Sequence, residues 1–360
     1  MNLVAEHALI AGKLEQRVCV EYSDGLITDI TINSTLATTV NGTLIPGFVD
    51  IHCHGGGGHY FSAKHPEEIS TAIKTHRAHG TTSMLASLVS EPIEALMAQI
   101  KALQPFIKQG AVKGIHLEGP YLSHTHCGAH DPAFFRIPTV AELSELIAVS
   151  NNTIRMVTIA PEIEGAIAVI EYLVKQKVTV ALGHTGANAS IAQEAINAGA
   201  KIVTHFNNGM PKLDTGDNIN SLSLSDSSVA LELILDGVHV NTSDLQRITS
   251  TAPRRIIAIT DAMSAAGGRD GDYTIGKLDV QVLNGIARLK SKDSLAGSTL
   301  TMDRAFLSLL NNFKFSIADA SYSASTLPAQ RIGLSDVGSI EIGKRADFVE
   351  LTSQGSIRLV

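Results

Sequence analysis

No apolar stretch in the 360-residue chain approaches the ~20 residues needed to span a bilayer. The start, Met1-Asn2-Leu3-Val4-Ala5-Glu6, has no basic segment followed by a long apolar one, so no secretory signal is expected. Cysteine is scarce: Cys19, Cys53 and Cys127 are odd in number and scattered, which predicts a reduced, cytoplasmic protein without disulfides. Charged residues make up 18% of the chain and form no blocks, and there is no low-complexity tract, so the whole chain should fold. A formal net charge of -7 and a pI near 6.0 argue against nucleic acid or an anionic membrane as partner. No Gly-X-Gly-X-X-Gly follows the first strand candidate, which disfavours a doubly wound dinucleotide fold. Gly55 to Gly58 are not followed by Lys-Ser/Thr, so they read as a tight turn rather than a phosphate loop.

What remains is an alternation of strand-like and helix-like runs. Strands are expected over 44–51, 80–87, 112–118, 154–159, 178–183, 201–205, 229–235 and 256–260. Helical segments such as Pro66 to His79, Pro92 to Gln109 and Ala187 to Ala198 lie between several of them, and Met302 to Asn311 follows the last. This order predicts an α/β protein built as a (β/α)8 TIM-like barrel. Short β-runs occupy both ends: Leu9-Ile10, Val18 to Tyr22 and Leu26 to Ile30 (with an Asp24-Gly25 hairpin turn), then 338–343, 346–351 and 357–359. The simplest arrangement joins residues 1–44 and 335–360 into a small discontinuous β-sandwich domain beside a barrel of residues 45–334.

The barrel reading gives the strand ends a meaning, because active sites of such barrels lie at the C-terminal ends of the strands. Ile45-Pro46-Gly47-Phe48-Val49-Asp50-Ile51-His52-Cys53-His54 is an apolar run that ends in His-X-His. Alternation puts His52 and His54 on one face and turns Cys53 away, as a small core residue. Alone, this pair reads equally as a metal grip or as polar strand-end histidines. Four further apolar runs end in Glu118, His184, His205 and Asp261, and so many polar termini are hard to explain by core satisfaction. Imidazole and carboxylate without thiolate suit zinc first, with iron, manganese or cobalt as alternatives. Such an ion lowers the pKa of a bound water to ~7 and polarises a carbonyl oxygen, which is the chemistry of amide hydrolysis. A carboxylate such as Asp261 can take the proton from that water and pass it to a leaving amine.

Pro46 to Gly55 is similar to the first barrel strand of the amidohydrolase superfamily. Several further motifs resemble the N-acetylglucosamine-6-phosphate deacetylase family within it: His116-Leu117-Glu118-Gly119-Pro120, Ala181-Leu182-Gly183-His184-Thr185, Thr204-His205-Phe206-Asn207-Asn208-Gly209-Met210-Pro211, Asp236-Gly237-Val238-His239 and Thr260-Asp261-Ala262-Met263. Leu295 to Met302 and the closing Gly343-Lys344-Arg345-Ala346-Asp347-Phe348 extend the resemblance nearly end to end.

The resemblance implies metal ligation by Glu118, His184 and His205, with His52 and His54 available for a second ion, so one or two ions per subunit. It implies Asp261 as general base and acid, and His239 as a substrate contact that helps polarise the scissile carbonyl. Substrate contacts are implied at Ala129, His130, Asn208 and Gly209, and at Leu295, Ala296 and Gly297. The implied substrate is a small N-acetylated amino sugar, first of all N-acetylglucosamine 6-phosphate, and the implied assembly is a homodimer. The same deacetylation on another hexosamine, or a non-catalytic assembly role, are the alternatives.

One departure bears on the phosphate. Family members continue Met-Pro with a stretch containing His-His-Arg-Glu-Pro-Gly, whose arginine reaches the sugar phosphate from a neighbouring subunit. Here the chain reads Lys212-Leu213-Asp214-Thr215-Gly216-Asp217-Asn218-Ile219-Asn220-Ser221, and lysine does not copy the guanidinium fork. Three further expectations concern residues outside the ligand set. His116 should be a hydrogen-bonded core histidine. His124, His126 and Cys127 should belong to a mobile lid, with Cys127 near the substrate as the alternative. His76 and His79 should be surface residues of a helix.

Overall fold

Parallel strands covered by helices on one face and packed against each other on the other are buried on both sides, so they read as nearly unbroken apolar runs. The computed structural model, which describes residues 1–292 and 294–360, bears this out for every barrel run. The strands are β1 (Phe48–Asp50), β2 (Thr81–Leu88), β3 (Gly114–Glu118), β4 (Ile154–Ile159), β5 (Thr179–Leu182), β6 (Ile202–Val203), β7 (Ala230–Ile234) and β8 (Ile256–Ile259). They form one parallel sheet in sequence order. The sheet closes just beyond the strand ends, where the Asp261 amide donates to the His52 carbonyl (2.8 Å) and the His54 amide to the Ala262 carbonyl (2.9 Å). Each strand is followed by a helix: Pro66–Ala78, Ile93–Lys108, Val140–Val149, Ala166–Lys175, Ala189–Asn197, Ile219–Ser225, Thr242–Thr251 and Met302–Asn311. None of the described helices is long and apolar enough to cross a membrane.

The helices pack by a single stripe. In Ala166–Lys175 the buried residues are Ala166, Val169, Ile170 and Leu173, the i, i+3, i+4, i+7 pattern, and each large aliphatic side chain so placed contributes about 1.5–3 kcal/mol. Starts are fixed by side-chain caps: Thr139, Asn188 and Asn241 each accept a hydrogen bond from the backbone N–H three residues on.

The expectation for His76 is corrected here. It lies on the same stripe of Pro66–Ala78 as Ile69, Ala72 and Ile73, is fully buried, and its Nε2 lies 2.8 Å from the Gly55 carbonyl and 3.2 Å from Cys53 Sγ. Burial pushes its pKa below the ordinary histidine value. His79, at the helix end, is partly exposed and pairs with Asp303 (2.8 Å).

Strands from both ends of the chain share a six-stranded sheet, in the order Ile357–Leu359, Phe348–Leu351, Val40–Pro46, Asn2–Ile10, Lys13–Ser23, Leu26–Thr31. The hairpin turn at Asp24-Gly25 has φ of 53° and 75°, the double positive φ that matches the strand twist. The Ile27 and Ala346 amides donate to the Lys344 and Gly25 carbonyls, tying the strand at 26–31 back toward 348–351 around Val18, Val20, Ile27, Leu44 and Phe348. The strand expected at 338–343 is reduced to one bridge, Ile10 to Ile340. An unexpected three-stranded antiparallel sheet (Gly271–Ile275, Leu278–Leu283, Ile286–Leu289) follows β8 and packs on Met263, Ala265 and Ala296 beside the mouth of the barrel.

Candidate active site

Three of the strand ends deliver their polar residue by a backbone turn. His184, His205 and Asp261 all have positive φ (48°, 29° and 47°), so the chain leaves the ladder there and the side chain swings over the barrel axis. The carboxyl of Glu118 sits at the centre. Its Oε1 is 3.1 Å from His184 Nε2, 3.0 Å from His205 Nε2 and 3.5 Å from His52 Nε2. Its Oε2 is 3.1 Å from His54 Nε2 and 3.2 Å from His130 Nε2. Asp261 Oδ1 lies 3.4 Å from both His52 Nε2 and His54 Nε2.

The outer ring nitrogens decide what the inner ones offer. His184 Nδ1 donates to the His126 carbonyl (2.8 Å) and His205 Nδ1 to the Asn208 carbonyl (3.2 Å), since a carbonyl can only accept. Both rings therefore turn a bare Nε2 toward Glu118, and those two lone pairs face each other at 3.0 Å. His52 repeats the pattern: Nδ1 is 3.1 Å from Glu232 Oε2, while Nε2 lies 3.2 Å from His54 Nε2. His130 is the opposite case. The Ser90 amide donates to its Nδ1 (3.3 Å), so Nε2 carries the proton and donates to Glu118 Oε2. Burial holds its pKa down at about 4, against the pull of Glu118. His130 is thus a neutral donor that orients Glu118, whereas His184, His205 and His52 are built as acceptors of something positive.

Electrostatics point the same way. Burial raises the pKa of Glu118, but His52, His130 and His184 lower it more, and it ends well below the carboxylate range. Asp261 behaves likewise: burial raises it, while the charge of His52 and the hydrogen bond from His54 win. In return His52 and His54 are raised above the ordinary histidine value, despite burial, by Glu118 and Asp261. Two buried carboxylates demand positive charge, and among the described residues lining the cavity none is lysine or arginine. Without a metal, protons on His52 and His54 meet that demand. The donors gather as Glu118, His130 and His184 and as His52, His54 and Asp261, with His205 Nε2 3.0 Å from Glu118 Oε1; since His130 presents its N–H, the lone pairs that fit a divalent ion beside Glu118 are those of His184 and His205.

These groups floor a cavity of about 230 Å³. Its wall includes Gly128, Ala129, His130, Asn208, Gly209, His239, Leu295 and Gly297. Ala296 does not line it and is packed under the three-stranded sheet instead. His239 Nδ1 donates to Asp236 Oδ2 (2.7 Å), which leaves Nε2 for a ligand. Burial raises Asp236, but the bond and charge of His239 and the His239 and Val238 amides bring it below its usual value. Asn208 Nδ2 and Ser294 Oγ are buried and have no partner among the described residues, so both are open to a bound molecule.

His116 lies outside this set. It is buried between Ser87 Oγ (2.9 Å) and Thr158 Oγ1 (2.8 Å), with its pKa driven well down by burial. Cys53 faces His76 and the Gly55 carbonyl, away from the ligand face. The side chains of His124, His126 and Cys127 do not join the cluster; their loop instead supplies the His126 carbonyl to His184 and carries Gly128 and Ala129 into the wall. Lys212, opposite the missing arginine, gives its ammonium to the Asn207 carbonyl and does not line the cavity. Asn218 accepts from the Asn220 and Ser221 amides and donates to the Lys212 carbonyl, closing this stretch on itself.

The residue sequence reasoning missed is Glu232. It sits in the middle of an apolar strand, and a lone acid in such a run was the only signal.

The amidohydrolase family model matches residues 43–358. N-acetylgalactosamine-6-phosphate deacetylase of Escherichia coli O157:H7 is 37% identical over 338 residues, 92% of this chain and 89% of that protein. N-acetylglucosamine-6-phosphate deacetylase of Vibrio furnissii is 35% identical over 87% of this chain and 80% of its own length. Among solved structures, a mutant N-acetyl-D-glucosamine-6-phosphate deacetylase from Mycobacterium smegmatis in complex with N-acetyl-D-glucosamine-6-phosphate superposes with a TM-score of 0.95. It is 38% identical, over 99% of this chain and 96% of that one. The Thermotoga maritima enzyme gives 0.91 at 31% identity, over 99% and 96%.

Proposed function

Because the chain belongs to the amidohydrolase family, in its N-acetylglucosamine-6-phosphate deacetylase branch, we propose that it removes the acetyl group from N-acetylglucosamine 6-phosphate to give glucosamine 6-phosphate and acetate. The observation that carries this is the convergence of bare imidazole nitrogens on Glu118 and Asp261 at the floor of a cavity walled by His239 and Asn208.

Glu118, His184 and His205 would hold a divalent ion, zinc in our reading, and His52 and His54 a second one. Bound there, the ion supplies a Lewis acid for the acetamide carbonyl and lowers the pKa of a water it binds. Asp261 takes a proton from the attacking water and returns it to the departing amine. His239, whose Nδ1–H is held by Asp236, stabilises the charge that builds on the carbonyl oxygen when Nε2 also carries a proton and donates it there. Asn208, Gly209, Ala129, His130 and the loop from Leu295 to Gly297 orient the sugar, with the unpaired Asn208 amide as one donor. We further propose a homodimer in the cytoplasm, the latter supported by three cysteines that are all free. The division into residues 45–334 and a small domain of 1–44 with 335–360 also stands as a proposal, supported by a separate apolar cluster under the terminal sheet.

A second reading has an observation of its own. Among the described residues no lysine or arginine lines the cavity, and Lys212 is turned to the Asn207 carbonyl, which leaves the 6-phosphate without a cation there. The substrate would then be an unphosphorylated N-acetyl amino sugar, or the galactosamine epimer named for one relative. Acetate release from N-acetylglucosamine 6-phosphate, N-acetylgalactosamine 6-phosphate and N-acetylglucosamine, side by side with added zinc, separates these. A kcat/KM at least tenfold higher for N-acetylglucosamine 6-phosphate is expected. No release from any of the three would refute the deacetylase reading.

A further inference from the structure

Glu232 is a carboxyl group in the middle of β7, fully buried, flanked by Leu231 and Leu233. Interior positions of such barrels are normally filled by Val, Ile or Leu, and a buried carboxyl needs compensating hydrogen bonds. Its two bonds both run to candidate ligands. Oε2 accepts from the His205 backbone N–H (3.2 Å) and from His52 Nδ1 (3.1 Å), and Oε1 has no partner among the described residues. The first bond anchors the residue at which the chain leaves β6 with φ of 29°. The second fixes the tautomer and tilt of His52, so that its Nε2 is the nitrogen brought within 3.5 Å of Glu118, Asp261 and His54. One carboxyl oxygen therefore ties the end of β1 to the end of β6, the sources of ligands for two different ion positions.

We propose that Glu232 is the positioning residue of the metal centre, setting His52 and His205 together so that affinity at the two ion positions rises and falls as a unit. It touches neither substrate nor metal and acts through the two histidines. This rests on the metal-dependent reading above but not on the identity of the sugar, so its test is read without substrate.

The experiment is zinc loading of stripped protein, with zinc per subunit and affinity by chelator competition, for wild type, Glu232→Gln and Glu232→Met. Glutamine keeps an acceptor oxygen where methionine has none. Affinity should fall about tenfold in Glu232→Gln and about a hundredfold in Glu232→Met, the range usual for partners of ligating histidines. The metal-free melting temperature, which reports a merely structural role, should change little in Glu232→Gln. Wild-type zinc affinity in both folded variants would overturn the proposal, and failure of wild type to take up zinc would overturn the metal reading itself. If Glu232→Met does not fold, histidine-selective nitrogen-15 spectra of zinc-loaded wild type decide. His52, identified by its loss in His52→Asn, should show a protonated Nδ1, and a protonated Nε2 would refute the assignment.

Discussion

Asp261→Asn isolates proton transfer from everything else the centre does. Asparagine keeps the shape and one acceptor oxygen but cannot take up a proton. No other carboxyl among the described residues lines the cavity except Glu118, whose oxygens are already engaged by His54, His130, His184 and His205. No substitute base is at hand, so the full contribution of a positioned base should be lost, about 10²–10⁴-fold in kcat, or roughly 3–5 kcal/mol. The change also removes a negative charge 3.4 Å from His52 and His54. With an effective dielectric constant of ~20, that charge is worth about 5 kcal/mol to a unit positive charge at this distance. The same potential acts on a dication with about twice the energy it has for a proton, so metal affinity falls more than histidine basicity does. The assay must therefore be run at saturating zinc, with zinc per subunit measured on the same sample. The expected result is kcat down about a thousandfold with KM within about threefold of wild type. Metal-loaded Asp261→Asn that turns over within tenfold of wild type would refute the general-base assignment.

Four other outcomes follow from the same structure. Chelation should abolish acetate release and zinc should restore it; at zinc a thousandfold above Kd the loaded form gains about 4 kcal/mol of stability, seen as a higher melting temperature. Protons compete with the second ion on His52 and His54, whose pKa values Glu118 and Asp261 raise above the ordinary histidine value despite burial, so zinc per subunit should fall on acidification, beginning at that second position. A zinc content flat from pH 8 to pH 6 in a chelator buffer would contradict this. His116→Leu should leave zinc content unchanged while costing about 2–4 kcal/mol in urea unfolding, because the Ser87 and Thr158 hydroxyls lose a buried partner. Arg255→Met should lower stability by about 2–3 kcal/mol with kcat unaffected, since its guanidinium caps the Ser223, Leu224, Asp226 and Val229 carbonyls below the barrel.

The eight apolar runs and their polar ends were legible because double-sided burial leaves a parallel strand no alternation to blur, and because ligands must sit where strands stop. Glu232 was not, because a run of Leu-Glu-Leu-Ile-Leu reads as a strand whose acid has no stated purpose until His52 and the His205 amide are brought to it from strands far away in sequence. His76 carried a readable signal, its spacing of 7, 4 and 3 residues from Ile69, Ala72 and Ile73, but its polarity suggested the opposite face. The three-stranded sheet at 271–289 alternates plainly, as in Leu278-Asp279-Val280-Gln281-Val282. What hid it was position, since a (β/α) barrel gives no reason to expect strands after β8. Ala296 could not be separated from Leu295 and Gly297, since membership of the wall depends on which way a loop residue turns.

His184, His205 and Asp261 hold their places with backbones in a conformation that disfavours most L-residues and all but excludes β-branched ones. Glycine would relax each turn but has no donor to offer. The scaffold's capacity to acquire new chemistry at these three positions is therefore confined to a small alphabet, in which histidine, aspartate and asparagine are the residues that combine tolerance of the turn with a useful polar group. Diversification among descendants of this fold should accordingly run through positions free of that constraint, His52 and His54 just past the end of β1 and the non-glycine residues of the loops at 128–130 and 294–297, while the three kinked corners change slowly or within that alphabet.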